Sequence, residues 1–278
     1  MISTIQPMDV HLKNIFPAVL EVAAGKIFDN QPMQPVLLEL LSAPAASLPS
    51  RLESSLSMLL HPNEAEVFNG YRFPKRRSEY LTGRICAKMA VDGFLQRTQT
   101  PSMPLSLSEI EIARTADGRP EVRLDNPETK APQMDISISH GGEYGAALAA
   151  HGKCGIDVQL RQAGLLRVRK KYCSEGDYNL LETSLPARDP LTRLAVLWAA
   201  KEAAKKALSH WHMPGFLDLV LCRLENLTNC MVLVFHITQK KRQVMPAKVT
   251  VATDMFGEYS LALCLVDEDC SDAGTARG

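Results

Sequence analysis

The chain has 278 residues, 46% of them hydrophobic and 22% charged, enough apolar material for one substantial core or two smaller ones without cross-links or structural metals. Lys plus Arg and Asp plus Glu both number 31, so no global field draws the protein to nucleic acid or to a membrane, and anion binding has to come from local clusters. The seven cysteines are scattered and form no C-x-x-C pair, which excludes a disulfide framework and a zinc site and points to reduced thiols in the cytoplasm.

The N-terminus lacks a basic start followed by an unbroken apolar stretch, and no run of about 18 uncharged apolar residues occurs, so neither export nor a membrane span is expected. Residues 1–60 mix apolar runs such as 35–41 with Pro and Ser clusters, and read as strands, turns and an adaptable loop. Residues 62–95 turn helical, with Pro74 suited to a first turn and the basic run Lys75-Arg76-Arg77 followed by Arg84. Two apolar runs between 110 and 124 flank Ala116-Asp117-Gly118-Arg119-Pro120, the signature of a hairpin with Arg119 at its tip.

Three short strands are expected at 135–140, 144–150 and 154–160, broken by Gly141 and Gly142 and forming an antiparallel meander. Residues 165–181 read as a basic helix with a break near Ser174-Glu175-Gly176, and 190–210 as a helix rich in Ala and Leu. Four further strands follow, at 217–224, 231–238, 247–253 and 259–266, and a polar tail, 267–278, reads as disordered. Strands with a helix occur twice, which predicts an α+β protein of two halves divided near residue 150, although no internal repeat is visible in the sequence.

Three constellations carry chemistry. Glu202 and Lys206 lie four apart in Trp198-Ala199-Ala200-Lys201-Glu202-Ala203-Ala204-Lys205-Lys206 and share a helix face, as a surface ion pair would. Gly155-Ile156-Asp157-Val158-Gln159 projects an acid and an amide from one face of a strand and two aliphatics from the other. Mg2+ takes one or two carboxylates plus water and phosphate oxygens, a set that Asp157 and Glu202 could supply. Finally, Ser137-Ile138-Ser139-His140-Gly141-Gly142 offers hydroxyls, an imidazole and glycines at a strand end, a pattern common where phosphate approaches the backbone.

Together these segments resemble the 4'-phosphopantetheinyl transferase superfamily, in its surfactin-synthetase-activating form that joins two half-domains in one chain. Gly155 to Gln159 is similar to its G-[IV]-D-x-E strand, and Trp198 to Lys206 to its W-x-x-K-E-A-x-x-K helix. Arg76 to Arg84, Gly118-Arg119-Pro120 and Ser137 to His140 resemble its basic helix, its G-[KR]-P turn and its S-[IVL]-S-H strand, so the likeness covers about residues 70–210.

The resemblance implies two pseudo-symmetric half-domains, each a small mostly antiparallel sheet packed with a long helix, with the active site at their interface. Residues 1–150 would bind coenzyme A, and 151–266 would carry the metal and the catalytic helix. Arg76, Arg84 and Arg119 would hold the adenosine 3'-phosphate, while Ser139, His140, Lys201 and Lys206 would contact the phosphates. Asp157 and Glu202, with Gln159 beside them, would hold Mg2+, and Glu202, Lys206 and Asp157 would be the catalytic set. The implied reaction moves the phosphopantetheine arm of coenzyme A to a serine of an apo acyl or peptidyl carrier protein in a monomeric enzyme that binds neither nucleic acid nor membrane.

Two departures stand out. Gln159 occupies the place of the usual Glu, leaving a catalytically weakened coenzyme A or carrier-protein binder as the alternative, and either Asp177 or Glu175 would fill the role of a further acid. The sequence does not choose among fatty acid, polyketide, nonribosomal peptide and siderophore pathways.

Overall fold

The computed structural model describes residues 12–41, 56–98, 105–125, 133–238 and 245–267. In chain order these form α1 (Ala18–Ile27), β1 (Met33–Glu39), α2 (Pro62–Gly70), α3 (Pro74–Thr98), the hairpin β2 (Ile110–Arg114) and β3 (Pro120–Leu124), then β4 (Asp135–Gly141), β5 (Tyr144–Ala150) and β6 (Lys153–Leu160). After them come α4 (Gly164–Val168), α5 (Glu175–Ser184), α6 (Pro190–Leu208), β7 (Leu219–Asn226), β8 (Met231–Ile237), β9 (Lys248–Phe256) and β10 (Tyr259–Val266). The protein is α+β, as expected. The tail at 268–278 lies outside the described residues.

Two antiparallel sheets organise the chain, one of order β1-β5-β4 and the other of order β6-β10-β9-β8-β7. Their facing surfaces enclose a shared core with α1, in which Leu20 and Ala24 meet Ala146 and Leu148 of β5, Ile156 of β6 and Leu261 and Leu263 of β10. The outer faces are covered by the long helices: α3 packs Ile85, Val91 and Phe94 with Ala147 and Ala149, and α6 packs Leu194 and Ala203 with Ala262 and Cys264. Side chains alternate across a strand, so β5 and β10 serve a core on each face, and apart from the buried Ser260 they carry no polar residue other than tyrosine.

Two expectations need correction. Residues 135–160 do not form a three-stranded meander: β4 and β5 pair, but β6 leaves them and pairs with β10 across residues 153–160. Residues 18–27 form a helix that the mixed apolar pattern conceals, because the exposed Val19 and Val22 blur the contrast with the buried Leu20 and Ala24. The basic segment at 165–181 is interrupted as expected, running as α4, a single 3-10 turn at Arg169–Lys171, and α5. It breaks where Ser174 caps α5, its hydroxyl accepting from the Asp177 N–H while the Asp177 carboxylate accepts from the Ser174 N–H.

The buried thiols are packing elements. Burial raises Cys86, Cys154 and Cys264 far above the ordinary thiol range and pushes Cys173 up to about 11, so all remain protonated at neutral pH.

Candidate active site

The site grows from the seam where β4 and β6, one from each sheet, run side by side. No backbone ladder joins them; side chains of alternate β4 residues accept the β6 amides instead. The Cys154 N–H donates to Asp135 Oδ2 (2.8 Å), the Ile156 N–H to Ser137 Oγ (3.1 Å) and the Val158 N–H to Ser139 Oγ (3.4 Å). Two glycines permit the approach. A Cβ on Gly141 would lie 2.2 Å from the Val158 carbonyl oxygen, and one on Gly155 would lie 1.9 Å from that of Ala203, so only glycine lets β6 touch the backbone of α6.

That contact sets the register of helix on strand. Gly155 faces Ala203 and Ala207, and Asp135 beside Cys154 reaches His210, so moving up β6 towards Asp157 means moving back along α6 towards Glu202. Asp157 is buried, and its Oδ1 accepts from Ser139 Oγ at 2.7 Å and from Lys206 Nζ at 2.8 Å. Lys206 also donates to the Ile156 carbonyl at 2.8 Å. The surface pair expected between Glu202 and Lys206 is therefore not made: Lys206 turns to the strand, and Glu202 remains partly exposed beside Lys205 at 3.7 Å. The Gln159 amide nitrogen donates to the Leu160 carbonyl, which leaves its amide oxygen free to accept.

Next to this seam lies a cavity of about 280 Å³ whose lining includes Arg84, Arg114, Arg119, His140 and Lys206. Arg119 spans the halves. Its guanidinium grips both oxygens of Asp135 at 3.1 and 3.2 Å and donates to the Lys206 carbonyl and the Ser209 hydroxyl at the end of α6. Burial alone would raise Asp135, but His210 at 2.8 Å, Arg119 and the Cys154 N–H hold it below the usual carboxylate range. Arg84 is buried, its Nε without a hydrogen bond but 3.7 Å from the Glu64 carboxylate, and its guanidinium lies 4.7 Å above the Tyr80 ring. Arg114 was not anticipated; the hairpin register pairs it with Pro120, which returns it to the cavity beside Arg119.

Arg76 stands outside the cavity lining, exposed, with its guanidinium 2.9 Å from Glu79. The same carboxylate lies 3.6 Å from His140 Nε2. Burial lowers the proton affinity of His140, opposed by Glu79 and reinforced by Lys206 and Arg76.

Lys201 is where the expectation fails. It is fully buried, and its ammonium donates to Asp177 Oδ2 (2.8 Å), the Tyr172 carbonyl (2.8 Å) and the Phe216 carbonyl (3.0 Å). With three protons on three acceptors it has nothing to offer a phosphate. Burial, against the pull of Asp177, lowers its pKa. Asp177 is consumed by the same network, since its Oδ1 accepts from the Leu221 N–H at 2.8 Å, so of the two candidate acids only the exposed Glu175, paired with Arg169, reaches solvent.

The donor chemistry at the seam suits a hard, oxygen-seeking cation. Among the described residues no hydrogen bond reaches Asp157 Oδ2, while Glu202 is partly exposed one turn before Lys206. No group of three or more His, Cys, Asp or Glu side chains gathers among the described residues. A cation here would rest on two carboxylates and would need oxygens from water and ligand.

Comparison with known proteins identifies the family. The family model described as 4'-phosphopantetheinyl transferase superfamily matches residues 153–264, and the one described as 4'-phosphopantetheinyl transferase, N-terminal, matches residues 48–153. A holo-[acyl-carrier-protein] synthase of Bacillus pumilus (strain SAFR-032) is 36% identical over 90 residues, 32% of this chain and 69% of the relative. The chain belongs to the 4'-phosphopantetheinyl transferase superfamily. It is thus an enzyme of the phosphopantetheinyl transferase class, and the seam described above falls where the two family matches meet, at residue 153.

Among solved structures, the Helicobacter pylori holo-[acyl-carrier-protein] synthase in complex with coenzyme A is 18% identical with a TM-score of 0.33, covering 42% of this chain and 97% of its own. A Chronobacterium ammoniagenes synthase–coenzyme A complex is 27% identical with a TM-score of 0.32, covering 42% and 94%. At these scores the structural likeness bears no weight; membership in the transferase superfamily rests on the sequence matches. Among the described residues, no helix is long and apolar enough to cross a membrane.

Proposed function

We propose that this transferase moves the 4'-phosphopantetheine group of coenzyme A to a serine of an apo acyl or peptidyl carrier protein, leaving adenosine 3',5'-bisphosphate. The observation that carries the reading is the buried carboxylate of Asp157, held by Ser139 from one sheet and Lys206 from the other helix, beside a cavity lined with guanidinium groups. A polyanionic substrate calls for guanidinium donors, which Arg84 and Arg114 provide, while Arg119, its two terminal nitrogens committed to Asp135, Lys206 and Ser209, fixes the cavity wall beside them.

In this reading residues 1–150 form the half that binds coenzyme A and 151–266 the half that performs the chemistry, with both in one chain acting as a monomer in the cytoplasm. Asp157 and Glu202 would hold Mg2+, and the Gln159 amide oxygen would be a neutral third donor. When bound, the ion neutralises charge on the pyrophosphate. Glu202, the less encumbered carboxylate, takes the proton of the attacking serine hydroxyl as its oxygen bonds to the β-phosphorus and the bond to the departing bisphosphate breaks. Lys206 pairs with Asp157 at 2.8 Å and lies at the cavity wall, where it meets the leaving phosphate. Ser139 spends its proton on Asp157 and so serves the carboxylate before any phosphate.

The test is intact-mass analysis of apo carrier proteins incubated with coenzyme A and this protein, with Mg2+ or with a chelator. The expected result is a gain of about 340 Da, one phosphopantetheine arm, only with Mg2+. Binding of coenzyme A without any gain on fatty-acid, polyketide and peptide carriers would replace the enzyme reading with that of a binder weakened at Gln159.

A further inference from the structure

The first turn of α3 holds Lys75, Arg76 and Arg77 and no acid, although the positive end of a helix disfavours cations. Arg77 is turned inward against the Phe68 ring and the Phe68 and Tyr71 carbonyls. The other two converge, with His140 from β4, on Glu79: Arg76 Nη1 at 2.9 Å, His140 Nε2 at 3.6 Å and Lys75 Nζ at 3.9 Å. Glu79 is the sheltered member, 12% exposed, while the side chains of Lys75, Arg76 and His140 are 78%, 64% and 47% exposed.

We propose that Glu79 is a tethered competitor of the substrate: its carboxylate occupies the Arg76 and His140 donors that a phosphate of coenzyme A takes on binding, and so sets how much negative charge a ligand needs to enter. The inference rests on the reading that coenzyme A binds at this seam. Glu79 lies within the Arg76 to Arg84 segment that resembles the family's basic helix, at a position that resemblance does not specify.

Two features distinguish a competitor from an orienting partner. Asp135 holds the Arg119 guanidinium through both of its carboxylate oxygens on a largely buried side chain, whereas Glu79 meets Arg76 through one oxygen on a mostly exposed side chain. Such a contact contributes little and breaks readily. What survives its breaking is the charge of Glu79 itself, fixed by its sheltered position beside the place the phosphate must occupy. Glu79 and Asp157 are the carboxylates facing His140, and Lys206 and Arg76 the cations, so removing Glu79 shifts that balance towards anion binding.

Isothermal titration of the full chain with coenzyme A decides the matter. Glu79→Gln is expected to bind coenzyme A about fivefold more tightly at low salt, the effect of one like charge near 4 Å in a largely aqueous setting. The gain should shrink as ionic strength rises and be smaller, though still present, in an Arg76→Gln background, where His140 and the charge of Glu79 itself remain. Glu79→Ala supplies a second neutral variant, and a melting curve for each confirms the fold. Unchanged or weaker binding by both variants would overturn the proposal and make Glu79 an orienting or merely structural acid. Failure of the wild-type chain to bind coenzyme A would instead refute the function proposed above, so the two failures are distinguishable.

Discussion

The two long helices are built over the same buried device. In α3, Lys88 is fully buried and pairs at 2.5 Å with Glu64, the third residue of α2, whose carboxylate also accepts the N–H of Ile112 on the following hairpin. In α6, Lys201 is fully buried and pairs at 2.8 Å with Asp177, the third residue of α5, which accepts the N–H of Leu221 on the following hairpin. Each acid also closes the capping box of its own short helix, with His61 or Ser174 as the cap. Short helix, long helix and hairpin thus meet at one ion pair in both halves.

The difference begins one residue later. Lys201 is followed by Glu202 and, five residues on, by Lys206, where the positions after Lys88 are Met89 and Gly93. Gly93 packs against Gln34, whereas Lys206 reaches across to Asp157. One scaffold has been used twice and given chemistry once, and the lysine inside the most recognisable motif belongs to the scaffold.

The strongest test of that equivalence is Lys88→Met set beside Lys201→Met. Lys201→Met strands the buried Asp177 and should cost about 3–5 kcal/mol in urea denaturation, and Lys88→Met should cost somewhat less, because Arg84 stays 3.7 Å from Glu64. If Lys201→Met spared stability but abolished transfer, Lys201 would be a phosphate ligand after all, and the parallel would break. Lys201→Met combined with Asp177→Leu should recover most of the loss, because an apolar pair of similar volume replaces the ions.

Asp157→Asn separates chemistry from scaffold. Transfer measured by mass should fall by about 10²–10³-fold, the scale of losing one electrostatic partner of the reacting groups, with a melting temperature close to that of the wild type. Ser139→Ala is a smaller version of the same break. It removes the hydroxyl that holds Asp157 Oδ1, and the expected loss is about 1 kcal/mol, or roughly fivefold in rate, with an altered dependence on Mg2+ concentration. An unchanged rate would show that Lys206 alone suffices to orient Asp157.

The mildest effect concerns the clasp between the halves. Asp135 is depressed in the folded state, so its contribution is present above the ordinary carboxylate pKa of about 3.9 and is lost as pH falls through the lower folded value. Asp135→Asn should therefore flatten the acid limb of a stability-against-pH curve, as read by denaturation at several pH values. Retention of the full wild-type slope would place the acid sensitivity elsewhere.

Much of this molecule was legible before folding. Alternation and turn residues located the β2–β3 hairpin, β4 and β5 and the four C-terminal strands, and Pro74 and Pro190 marked the starts of both long helices. The family resemblance singled out Asp157, Glu202, Lys206, Ser139, His140 and Arg119, and local pattern set them on a strand, a helix or a hairpin tip. The same resemblance misplaced Lys201: a charged residue within a motif reads alike whether it faces substrate or a buried acid, and the acid, Asp177, comes from another helix.

Local sequence thus determined element type, the strand that carries Asp157 and the helix that carries Glu202 and Lys206, since these depend on contacts between near neighbours. Tertiary structure alone decided that β6 abandons β5 for β10, that α1 is a helix, that Arg114 returns to the cavity, and that two unlike sequences build one repeated scaffold. The physical reason is common to all four: each turns on which distant partner satisfies a buried amide, charge or apolar face, and no periodicity within a segment records the identity of that partner.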